Sequence, residues 1–74
     1  MFKITRGRCL LKMRISDAKT TQAKLARKTG YSEQRISNWA NGREPIPYDV
    51  IVLFAHILEC HAEDFYKWTI TEEA

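Results

Sequence analysis

The sequence predicts an all-α domain, and three observations carry that reading. Apolar residues recur with the 3.6-residue period of helices, and no convincing alternating stretch stands against them. Residues that start and stop helices flank the periodic segments: Thr21 and Ser32 before them, Gly30 and the Asn41–Gly42 pair after them. The chain has 74 residues, a length that holds one domain, and 45% of them are hydrophobic. That content supplies a helical core without metal or disulfide staples, so Cys9 and Cys60 are expected as reduced, packed thiols.

Residues 1–4 read as an N-terminal arm, because Phe2 and Ile4 are too few to define a strand. A first helix is expected after Thr5, running to about Ser16, with Cys9, Leu10, Met13 and Leu11 turned inward. A second begins after Thr21, whose hydroxyl can accept from a free backbone N–H of the first turn. Gly30 ends it, because glycine takes the left-handed conformation there without steric cost. Ser32 caps a third helix over 33–41, and a fourth follows Pro47 to residue 58 with Val50, Leu53, Phe54, Ile57 and Leu58 facing the core. A short fifth helix is expected at 62–68 around Phe65 and Trp68, and residues 69–74 read as a flexible tail.

The charge is unevenly placed. Residues 1–43 carry eleven Lys and Arg against Asp17 and Glu33, a net +9; residues 44–74 carry Lys67 alone against seven acids, a net −6. A basic half of this strength suits a polyanion. Other classes lack support. The longest apolar run, "VIVLFAHIL" at 50–58, is about half of the roughly 20 residues a membrane span needs, so a cytosolic protein without membrane contact is expected. His56, Cys60 and His61 fall short of the four ligands with paired spacing that zinc requires, and no metal or cofactor is expected. No nucleophile, base and orienting residue form a set, and no glycine-rich phosphate loop occurs, so the chain does not read as an enzyme.

The stretch "TQAKLARKTGYSEQRISNWANG" at 21–42 concentrates the signal. The second and third helices are separated by three or four residues, and so short a link forces a steep crossing. Ala26 supplies the small residue at the crossing, Gly30 the turn, and Tyr31 can enter the core. In the third helix Ile36 shares a buried face with Trp39, Ala40 and Ser32. The opposite face holds Gln34, Ser37, Asn38 and Asn41, with Glu33 and Arg35 on the flanks. Amide side chains offer a donor and an acceptor together, which matches the N6/N7 edge of adenine in the major groove. Arg35 suits guanine or phosphate; Glu33 suits cytosine N4, or the positive end of the helix dipole.

Residues 21–42 resemble the helix-turn-helix of the lambda-repressor-like family, which includes Cro, phage repressors and the Xre type. The resemblance rests on "TQAKLARKTG", with Gln22, Ala26 and Gly30, and on "ISNWANGRE", and it extends through "AHILECHAEDFY" at 55–66. It implies a compact five-helix domain that binds double-stranded DNA and regulates transcription, as phage- or prophage-type repressors do. By position it implies base reading by Gln34, Asn38, Ser37, Glu33 and Arg35, and phosphate contacts from Gln22, Ser32, Arg43 and Asn41. A homodimer on a palindromic operator is expected with it. The sequence departs from the family at Glu33, where many members are neutral, at Ala40, where some carry a pairing Glu, and at Glu59, where Gly or Asn is usual. Two other readings are open. The acidic half, with Phe65, Tyr66 and Trp68, would serve a protein partner in an antitoxin or antirepressor-like module. A recombination accessory protein would bind DNA without reading its sequence.

Overall fold

A computed structural model of the chain describes residues 1–73. The order of elements is β1 (Phe2–Cys9), α1 (Leu11–Asp17), α2 (Gln22–Thr29), α3 (Glu33–Ala40), α4 (Tyr48–Leu58), one 3-10 turn (Ala62–Phe65) and β2 (Tyr66–Glu72). The expected all-α five-helix domain is thus corrected to four α-helices with a two-stranded antiparallel sheet. The first helix starts at Leu11 rather than after Thr5, and the expected fifth helix is a single turn that gives way to a strand. Residues 2–4 and 69–72, read as arm and tail, lie in the two strands.

The strands form because their side chains fit a pleat. Ile4 pairs with Ile70, Thr5 with Thr69 and Arg6 with Trp68. In a helix Trp68 and Ile70, two residues apart, would point to nearly opposite sides; in the strand they share one face with Ile4 and Phe2. The register shifts between Arg6 and Cys9, so two residues of β1 oppose Lys67. Gly7 lies in this bulge, where a Cβ would come within 2.5 Å of the Lys67 carbonyl oxygen; only glycine admits that backbone approach.

The core lies among the helices. Leu11, Leu25, Ile36 and Phe54 are fully buried, and Trp39 meets Tyr31 and Phe54 edge to face at 5.3 and 5.9 Å. Phe65 and Tyr66 close it from below, and the Ile46 N–H donates to the Tyr66 hydroxyl at 3.0 Å. The Leu10 N–H donates to the Phe65 carbonyl at 2.7 Å, which ties the start of α1 to the 3-10 turn. Met13 and Leu53, both expected inward, are exposed at 43% and 38%. The shorter α1 buries Leu11 and Ile15 instead, and on α4 the buried stripe runs through Val50, Phe54, Ala55 and Leu58.

Candidate nucleic-acid interface

The geometry of α2 and α3 is set by their ends. The Thr21 hydroxyl accepts from the Lys24 N–H at 3.2 Å, and Ser32 Oγ accepts from the Arg35 N–H at 3.1 Å. Between the helices Gly30 adopts φ 82°, and its N–H donates to the Ala26 carbonyl at 2.8 Å. Thr29 fixes the turn from within: its hydroxyl donates to the Leu25 carbonyl at 2.9 Å and accepts from the Tyr31 N–H at 3.3 Å. The chain therefore leaves α2, turns over three residues and re-enters as α3 with little freedom.

Ile36, Trp39 and Ala40 are buried, so α3 is oriented with its amide face outward. On that face Gln34 Nε2 donates to Asn38 Oδ1 at 3.0 Å, and Asn41 Nδ2 donates to Ser37 Oγ at 3.1 Å. The four polar side chains thus form two bonded pairs along one stripe. Gln34 keeps its carbonyl oxygen and one amide hydrogen, and Asn38 keeps both of its own, so the first pair presents donors and acceptors together.

The remaining predicted residues are distributed around this stripe. Glu33 is exposed in the first turn, and Ser32 spends its acceptor on capping. Arg35 leaves the stripe: its guanidinium lies 5.3 Å from the Trp39 ring centroid and 5.8 Å from that of Tyr31. Gln22 is half-buried as the first residue of α2. Arg43 is exposed beyond α3, with its N–H donating to the Asn38 carbonyl at 3.0 Å, which pins the loop to the end of the helix.

A cleft of about 400 Å³ beside this loop was not foreseen. It is lined by Arg6 and Arg8 of β1, by Asn41, Gly42 and Glu44, and by Tyr66. The signal that could have revealed it is the alternation of "YKWTIT" at 66–71, which marks a strand in need of a partner. Among the described residues no group of three His, Cys, Asp or Glu gathers as a metal site. The Cys60 thiol is pushed above its ordinary value by burial and by the Asp64 carboxylate, with Arg14 opposing, so it is held in the protonated form. Among the described residues no helix is long and apolar enough to cross a membrane.

Two helices locked at a glycine turn, the second offering a polar stripe with Arg43 exposed just beyond it, define a helix-turn-helix domain. A family model described as helix-turn-helix matches residues 10–65, and the chain belongs to this family, in its Xre or lambda-repressor-like type. It is a DNA-binding regulator of that kind. Comparison with curated proteins and with solved structures gave no match. Both strands fall outside the matched segment: β1 ends at Cys9 and β2 begins at Tyr66.

Proposed function

We propose that the protein is a sequence-specific repressor of the phage or prophage type, binding double-stranded DNA with α3 in the major groove. The observation that carries this reading is the bonded Gln34–Asn38 pair on the outward face of α3, opposite a fully buried Ile36. Gln34 and Asn38 read bases, with Ser37 and Glu33 contributing, while Arg35, stacked on Trp39 and Tyr31, is left to a phosphate. Gln22, Ser32, Asn41 and Arg43 hold backbone phosphate, which sets register without specifying sequence. The function is binding, with no catalytic step and no cofactor. The reading is tested by titrating the purified protein against the duplex upstream of its own gene and against a random duplex of equal length. A preference of about 10³ or more at near-physiological salt is expected. Equal affinity for both would overturn sequence reading at that site.

The repressor acts as a homodimer on a palindromic operator, since two recognition helices one DNA turn apart read two half-sites. The surface we assign to a second copy is the ribbon. Ile4, Trp68 and Ile70 face a groove of about 430 Å³ that Tyr48 and Ile51 close from α4. Met1 and Glu73 exchange backbone hydrogen bonds at 3.1 and 2.8 Å, and this sets the parity of the ladder. Trp68, Ile70 and Glu72 then direct their backbone groups to the free edge of β2. Charge selects that edge: β1 carries Lys3, Arg6 and Arg8 and no acid, whereas β2 carries Lys67 and Glu72. Antiparallel pairing of two β2 strands about Ile70 sets Lys67 opposite Glu73 of the partner subunit. A protein-partner role for the acidic half has less to work with, because Phe65 and Tyr66 are buried in the core.

A further inference from the structure

We propose that the root of the β-ribbon is a second DNA-contacting surface, on which Arg6 and Arg8 hold backbone phosphates flanking the segment that α3 reads. The inference rests on the DNA-binding reading and extends it to residues outside the matched helix-turn-helix segment.

Continuity of surface is the first argument. Ser37 on the polar stripe is bonded to Asn41, and Asn41 and Gly42 line the same cleft as Arg6 and Arg8. The face that α3 presents therefore runs through the loop after it and onto β1, with Arg43 in that loop. DNA in the major groove of which α3 lies would pass its backbone along this line.

Free charge is the second. The ion pairs among the described residues are Lys3 with Glu73 and Arg14 with Asp17. Arg6 and Arg8 thus carry uncompensated charge at a polar cleft whose lining holds a single acid, Glu44. Two guanidiniums against one carboxylate, with Arg43 adjacent, leave the cleft positive. A guanidinium presents its donors in a planar fork that matches phosphate oxygens.

Rigidity is the third. The Arg6 guanidinium stacks 4.9 Å from the Tyr66 ring centroid, and that ring is itself buried and held by the Ile46 N–H. Arg8 lies in the bulge that Gly7 permits, and a bulge turns a side chain out of regular alternation. The Arg6 guanidinium is therefore held in place, so less freedom is lost when it meets an anion, and the bulge sets the direction in which Arg8 leaves the strand.

The test compares wild type, Arg8→Gln and Arg6→Gln/Arg8→Gln on the upstream duplex and on a random duplex, by fluorescence anisotropy across a salt series. Each lost guanidinium should weaken binding to both duplexes by about tenfold near 0.1 M salt and reduce the slope of log K against log salt by about one. The preference for the upstream duplex should stay as in wild type. Arg8→Gln makes no contact within the fold that the core needs, so its thermal midpoint should not move. Wild-type affinity and an unchanged slope in the double variant would overturn the ribbon contact while leaving the repressor reading intact. A wild-type protein that binds neither duplex would overturn both.

Discussion

Gln34 and Asn38 lie one helical turn apart, and in the free protein each already satisfies part of the other's hydrogen bonding. Their pairing orders two side chains that would otherwise lose rotamer freedom on binding. On the base reading proposed for this pair, removing either one would cost a base contact and also release its neighbour. Gln34→Ala or Asn38→Ala should therefore weaken binding to a cognate duplex by about 1–3 kcal/mol and leave random DNA nearly unaffected, a difference that paired titrations measure. Arg35 shows the opposite arrangement. Sequence alone put it on the flank of the recognition helix, and its stacking on Trp39 and Tyr31 depends on where those rings pack. That is a tertiary fact, which spacing along one helix does not encode.

At the scale of elements, two helices end in the same left-handed conformation with different residues. Gly30 closes α2 at φ 82°, where glycine is at ease. Glu59 closes α4 at φ 55° and ψ 48°, where its Cβ is strained. Glu59→Gly should raise stability by about 1 kcal/mol, which thermal unfolding would register as roughly 4–8 °C for a domain of this size. Lowered or unchanged stability would mean that the Glu59 side chain contributes a contact the strain conceals. The helix boundaries at Thr21, Gly30 and Ser32 were legible because caps and turns act within a few residues. The strands were not, because each half of the ribbon is meaningless without a partner at the far end of the chain. The alternation of Tyr66, Trp68 and Ile70 with Lys67, Thr69 and Thr71 is visible in the sequence, yet it is outweighed there by the helical segment before it.

At the scale of the molecule, the basic first half and acidic second half are not two ends of the fold, since β1 and β2 bring them side by side. The ribbon is exposed along most of its length, with Phe2, Ile4 and Ile70 each more than 60% accessible. An unpaired edge beside an apolar face invites association, and a partner strand would pair with the edge and set its own side chains next to that face. Sedimentation of wild type should give a concentration-dependent dimer, and Ile70→Lys should shift it towards monomer with the helical core intact. A variant that sediments as wild type does would move the interface elsewhere. The helix-turn-helix itself, and the burial of Ile36, Trp39, Val50 and Phe54, followed from periodicity; the shape of the whole did not, because it depends on which chain segments meet.

Pairing Phe2 with Glu72 closes a loop of about 70 residues, among the costliest contacts in entropy that so short a chain can make. α2 and α3 are joined by a three-residue turn and need only each other to cross, so they can pair before the ribbon zips. The bulge at Gly7 and the cleft beneath it come into being with that later step. On that order the helix-turn-helix precedes the cations beside it, and a molecule frayed at the ribbon would keep α3 in place while losing the stacking of Arg6 on Tyr66.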